Sequence, residues 1–195
     1  MTFLIAIPAA GASRRMRGRD KLLEEVDGIP LLRRQTLAAL STGHPVTVLL
    51  PPNNGPRASV LDGLSAARHV VPDADTGMSA SLRGAARLAT GARGLVILLP
   101  DVPGVGQAEI EAVIDLFKAH ENSKPVVRAT DLNDVPGTPI VFPPRLVPRL
   151  EELKGDDGGR SLLKREDVLT VAFPDSRATL DLDTPEDWDA WRASR

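Results

Sequence analysis

The stretch Phe3-Leu4-Ile5-Ala6-Ile7-Pro8-Ala9-Ala10-Gly11-Ala12-Ser13-Arg14-Arg15-Met16, with Lys21 shortly after it, decides the reading of this chain. Phe3–Ile7 is an unbroken apolar run, the pattern of a strand covered on both faces. It stops abruptly at small residues, and the cations Arg14, Arg15 and Lys21 follow. A buried strand feeding a tight, small-residue loop is how α/β proteins bring backbone N–H groups close to phosphates. Cations beside such a loop suit an anion with several negative charges. The segment therefore predicts a nucleotide site. It is neither of two common phosphate motifs: no Gly-Lys-Ser/Thr follows Gly11 at Walker spacing, and Gly11 is followed by Gly18 rather than by a G-x-G-x-x-G run.

Working outward, strand-like and helix-like runs alternate. Further strands are predicted at Pro45–Leu50, His69–Val71, Leu95–Leu99, Val126–Ala129, Pro139–Phe142 and Val168–Phe173. Ile110, Val113, Ile114 and Phe117 form one apolar stripe on a helix over Gln107–His120, and Leu82, Ala85, Ala86 and Ala89 do the same over Ser79–Ala89. Pro30 suits the first position of a helix reaching Leu40. Thr184-Pro185-Glu186-Asp187 reads as an N-cap, a proline at the first helical position and acids in the first turn. Pro51–Pro56 reads as a loop. The alternation predicts an α/β/α sandwich around a mostly parallel sheet, with residues 1–195 as one domain.

Composition removes several functions. The chain has no cysteine, which excludes disulfides, thiolate metal sites and cysteine nucleophiles. His44, His69 and His120 lack metal-ligand spacing. A net charge of −2 gives no overall attraction to nucleic acid or anionic membrane, and the absence of tyrosine argues against base-stacking platforms. No segment approaches ~20 apolar residues, the length needed to cross a bilayer. The expectation is a cytoplasmic protein with small-molecule substrates and no nucleic-acid or membrane partner.

Ligands of open α/β sheets sit beyond the carboxyl ends of the strands. Asp101 follows the Leu95–Leu99 run at such an end, placed either to hold Mg²⁺ against phosphate oxygens or to make an ordinary turn before proline. Asp181 and Asp183 alternate with apolar residues and share one face of an extended segment, as a second carboxylate for the metal or as a solvated edge. Gly155-Asp156-Asp157-Gly158-Gly159-Arg160 lacks calcium-loop spacing, but its glycines permit close ligand approach and Arg160 could grip an anion. Trp188 and Trp191, three apart, anchor the last helix on the body of the domain.

Taken in order, these segments resemble the MobA-like nucleotidyltransferases, and most closely their molybdenum cofactor cytidylyltransferase branch. That family opens with L-A-A-G-x-S-x-R-M-G-x-x-K-L-L, to which Ala9–Met16 and Lys21-Leu22-Leu23 align. Gly28-Ile29-Pro30-Leu31-Leu32 matches its G-x-P-L-L, Gly77–Arg83 its G-M-x-x-S-L-R, and Asp101-Val102-Pro103 its D-x-P metal motif. Gly137-Thr138-Pro139, Gly155–Arg160 and Asp181–Asp187 resemble its later motifs, so the match runs along nearly the whole chain. Pro8 replaces the family leucine, and Arg17 takes the place of the glycine after Met16, moving the lysine one residue later.

The resemblance implies a three-layer, Rossmann-like fold with a mixed sheet, of nucleotide-diphospho-sugar transferase type. It implies transfer of a nucleotide from an NTP to a phosphate-bearing acceptor with release of pyrophosphate. In this branch the donor is CTP, the acceptor the molybdenum-bound pterin, and the metal Mg²⁺. A recipient molybdoenzyme or its chaperone is a further implied partner. The roles implied are triphosphate neutralisation by Arg15 and Lys21, metal binding by Asp101 with Asp183, and nucleotide contacts from Ala9, Ala10, Gly11, Ala12, Ser13, Arg14, Ser81 and Arg83. Arg160 falls on the acceptor side. Ala10 points to CTP, because guanylyl-transferring relatives carry glycine there. Guanylyl transfer from GTP, transfer to another small phosphate, and a non-catalytic nucleotide-binding role in cofactor maturation are the alternatives.

Overall fold

The computed structural model describes residues 2–120 and 122–194. The opening run forms β1 (Leu4–Pro8), whose Ile5, Ala6 and Ile7 have no exposed surface. A short antiparallel hairpin, β2 (Glu25–Val26) and β3 (Ile29–Pro30), precedes α1 (Leu31–Leu40). Pro30 sits just before the helix rather than inside it, because it is still paired with Glu25. β4 (Val46–Leu50), α2 (Gly55–Ser59), β5 (Ala67–Val70), α3 (Met78–Leu88), β6 (Leu95–Ile97) and α4 (Gln107–Ala119) follow. The chain then runs through β7 (Val126–Asp131), β8 (Pro136–Phe142), α5 (Val147–Leu150), α6 (Arg160–Leu163), β9 (Val168–Phe173) and α7 (Pro185–Ala193).

The main sheet has the order β5-β4-β1-β6-β8-β7-β9. β8 is antiparallel to both its neighbours, and the other pairings are parallel. The sheet is thus mixed and mostly parallel, as expected. Helices cover both faces because each face is apolar. One core joins Ile5, Ile7, Val48 and Val96 to the Ile110, Val113, Ile114 and Phe117 stripe of α4. The other joins Ala6, Leu49 and Phe142 to Leu82, Ala85 and Ala86 of α3. A third cluster packs Trp188 of α7 against Met16, Val26, Leu31 and Leu182.

This architecture brings the carboxyl ends of β1, β4 and β6 to one edge, where the chain leaves each strand as a loop. α2 falls inside the expected Pro51–Pro56 loop and beyond it, with Pro56 near its start supplying a fixed φ in the first turn. Among the described residues no helix is long and apolar enough to cross a membrane.

Candidate functional site

Beyond the strand ends lies a cleft of about 930 Å³. Ala10, Gly11, Ala12, Ser13, Arg14, Arg15 and Lys21 line it from the loop after β1. Ser81 of α3, Asp101 after β6, and Asp183 line it from elsewhere. One cleft therefore gathers most of the residues singled out in the sequence, from positions up to 173 residues apart. The amide N–H groups of Gly11, Ala12 and Ser13 have no partner among the described residues, which leaves them available to an anion.

Lys21 stands at the centre of the charged end. Its Nζ lies 2.6 Å from Asp101 Oδ2 and 2.6 Å from Asp183 Oδ1. Arg15 reaches the other Asp183 oxygen at 2.5 Å. Burial alone would push the Lys21 pKa down, but the adjacent Asp101 and Asp183 carboxylates outweigh it and hold it above the usual lysine value. Burial would likewise raise the Asp183 pKa, and Lys21 and Arg15 hold it below the usual carboxylate range instead. Asp181 is exposed on the same edge, and burial of its carboxyl together with the Asp183 charge pushes its pKa up. Of the two alternating aspartates, Asp183 is the one that reaches Lys21.

Asp101 and Asp183 are held together by backbone and helix contacts. The Leu182 N–H donates to Asp101 O at 3.0 Å, stitching the segment before α7 to the end of β6. The Asp187 carboxylate then accepts from the N–H groups of Asp183 and Thr184, while Thr184 Oγ1 accepts from Asp187 N–H. This reciprocal cap is the one read from Thr184-Pro185-Glu186-Asp187. Buried Trp188, one turn on, packs on Met16 and so ties α7 to the end of the nucleotide loop.

A second set of contacts, not legible in the sequence, holds the loop from behind. Arg57 of α2 is buried and grips Asp20 with two hydrogen bonds, Nε to Oδ2 at 2.6 Å and Nη2 to Oδ1 at 2.8 Å. The same guanidinium donates to Ala9 O at 2.6 Å and to Ser13 Oγ at 3.2 Å. One side chain thus fixes both ends of the Ala9–Ser13 turn. Burial would raise the Asp20 pKa, but the Arg57 guanidinium holds it below the usual carboxylate range.

Three expected contact residues lie outside the cleft lining. Ala9 has no exposed surface: its N–H donates to Leu49 O and its carbonyl is taken by Arg57. Arg83 instead braces the cleft wall, donating to Ser79 Oγ at 3.0 Å and Leu153 O at 2.7 Å and pairing with Asp73. Arg160 opens α6, exposed and off the cleft. That wall is closely fitted: a Cβ on Gly77, at φ +112°, would lie 2.6 Å from the Gly155 backbone. Asp156, Met78, Thr76 and Asn53 also line the cleft without having been anticipated.

The chain has been compared with known proteins. The model of the MobA-like NTP transferase domain matches residues 5–170. The purine catabolism protein PucB of Bacillus subtilis is 31% identical over 201 residues, covering 94% of this chain and 93% of PucB. The crystal structure of Rv0371c from Mycobacterium tuberculosis superposes with a TM-score of 0.83 at 25% identity, covering 97% of each chain. The same protein in complex with manganese superposes at 0.82 with 24% identity over 100% of both chains. The strand-end cleft and these matches lead to one statement: the chain belongs to the MobA-like NTP transferase family.

Proposed function

We propose that this protein transfers a cytidylyl group from CTP to the phosphate of a molybdenum-bound pterin in the cytoplasm, releasing pyrophosphate, and that residues 1–195 form the one domain that does so. The observation that carries the reading is Lys21 Nζ, 2.6 Å from both Asp101 and Asp183 beside a loop with unpartnered amides. That set can neutralise a triphosphate and hold a leaving pyrophosphate. A non-catalytic binder would need the amides but not the paired carboxylates.

The residues fit a divalent metal. Asp101 Oδ1 is buried with no hydrogen-bond partner, an acceptor in need of a cation. Among the described residues no three His, Cys, Asp or Glu side chains gather into a complete ligand set. A hard cation held by one or two carboxylates and completed by substrate phosphates matches that, and this is how Mg²⁺ is usually bound. The manganese complex of Rv0371c supports divalent metal use. Asp101 and Asp183 would hold the ion, which would supply neutralisation of the phosphate oxygens during transfer.

The chain's own residues position and neutralise. An oxygen of the acceptor phosphate attacks the α-phosphorus in line, that O–P bond forms, and the α–β bridging bond breaks to release pyrophosphate. No protein nucleophile is needed. Arg14 makes no ion pair among the described residues and lines the cleft, so it joins Arg15 and Lys21 against the β- and γ-phosphates. The Gly11–Ser13 amides cradle the nucleotide, and Ser81 offers a hydroxyl at the opposite wall. Ala10 lines the cleft where a purine-accepting relative has glycine, which supports the smaller base.

The test is metal-dependent pyrophosphate release with CTP, GTP, ATP and UTP, with and without molybdenum-bound pterin. Release with CTP alone, and only with the pterin, is expected. Release with GTP alone would overturn the base assignment, and silence with every NTP would overturn the reaction.

A further inference from the structure

Arg128 lies on β7, two strands from β6, and is half-buried. Its Nε donates to Gly137 O at 3.0 Å, a neutral partner. Its cross-strand neighbours, Ile140 on β8 and Thr170 on β9, carry no charge. Among the described residues it has no carboxylate partner, and neither does Arg160. Burial first, and then the nearby Arg160 charge, push the Arg128 pKa below the usual arginine value. Two residues along the same strand, Thr130 Oγ1 is buried without a hydrogen-bond partner.

A half-buried cation beside a second cation is unfavourable unless an anion joins them. Two guanidiniums present planar donors suited to an oxyanion. The triphosphate is not that anion, because neither arginine lines the nucleotide cleft and the cleft has its own cations. The pair is nevertheless next door. Asp156 lines the cleft, Gly158 approaches Met78 of the cleft, and Gly159 then packs on Phe142 of β8, so the segment that ends in Arg160 is the wall between the two.

Spacing decides which anion it is. Strands lie about 4.8 Å apart, so β7 is about 10 Å from β6, whose end carries Asp101. A phosphate attacking a nucleotide held at Lys21 and Asp101 cannot also sit at Arg128. We propose that Arg128 and Arg160 form a subsite for a second oxyanion of the acceptor, at the end remote from its reacting phosphate. The inference rests on the nucleotidyl-transfer reading and narrows it: the acceptor is anionic at both ends. An oxo-molybdenum group and a second phosphate share that chemistry.

The experiment uses the full chain and the variants Arg128→Gln and Arg160→Gln, the latter at an exposed position. Equilibrium dialysis with molybdate, and separately with inorganic phosphate, is run in saturating CTP and Mg²⁺ so that the cleft is filled. Wild type should retain one oxyanion per chain, and each variant should bind at least tenfold more weakly. The stronger of the two probes identifies the source. In turnover, both variants should raise KM for molybdenum-bound pterin at least tenfold and leave KM for CTP unchanged. Equal oxyanion binding by wild type and variants, or none by wild type, would overturn the subsite. Silence of wild type in turnover would overturn the reaction instead, and dialysis would still decide the subsite.

Discussion

Lys21 Nζ stands 2.6 Å from Asp101 Oδ2 across 80 residues of sequence. The same ammonium meets Asp183 at an equal distance, so one cation serves both carboxylates. Its raised pKa keeps it charged throughout the neutral range. The stabilisation from this contact is therefore fully present below the ordinary lysine value and is lost only as pH rises through the raised one.

Replacing either partner removes charge where it develops during transfer. Lys21→Ala and Asp101→Ala should each lower turnover about 10²–10³-fold, the usual effect of deleting one electrostatic contact to a transition state. Circular dichroism should show the fold intact. Wild-type turnover in both variants would refute the roles assigned to them.

Arg57 never touches the cleft's charged end, yet its hydrogen bonds shape the loop that does. Arg57→Ala strands the Asp20 carboxylate beside a buried turn. The cost should be about 3–5 kcal/mol in urea denaturation, as for breaking a buried ion pair. KM for the nucleotide should rise more than kcat falls. An unchanged KM would mean that the loop holds its shape without Arg57.

The pH dependence of that latch has a definite sign. The Asp20 carboxyl titrates below its ordinary value when folded, so its contribution is present above the unfolded pKa of 3.8. It is lost as pH falls through the lower, folded value. The stability gap between wild type and Asp20→Asn should be flat at neutral pH and close in acid. A gap that widens on acidification would contradict the assignment.

The site and the latch differ in how far the sequence betrayed them. Lys21, Asp101 and Asp183 sit at strand ends or beside an alternating apolar segment, and the sheet's topology converts those local patterns into one cleft. Arg57 carries no such mark. It lies in a proline-rich stretch read as loop, and only the packing of α2 behind β1 brings it to Asp20. The β2–β3 hairpin was legible in principle: Asp27-Gly28 is a strong two-residue turn signal, and both residues have positive φ, 53° and 76°. Its strands span two residues each, too short to show alternation. Arg83 misled because a cation next to cleft residues looks like a ligand contact, while its helix phase turns it to Asp73 and Leu153.

Ala10 is nearly buried, and its methyl group lies at the cleft surface. Ala10→Gly should enlarge that spot and shift donor preference from CTP toward GTP. A methyl-sized change in a pocket is worth about 1–3 kcal/mol, or roughly 10–200-fold in the ratio of kcat/KM values. No shift in that ratio would move base selection to other residues of the cleft.

The most direct test follows the label. CTP carrying ³²P at the α-phosphorus is incubated with Mg²⁺, molybdenum-bound pterin and either wild type or Asp101→Asn. The account predicts that label moves to the pterin with wild type, one pyrophosphate released per transfer, and stays on CTP with the variant. Equal transfer by both, or pyrophosphate release without label on the acceptor, would contradict it.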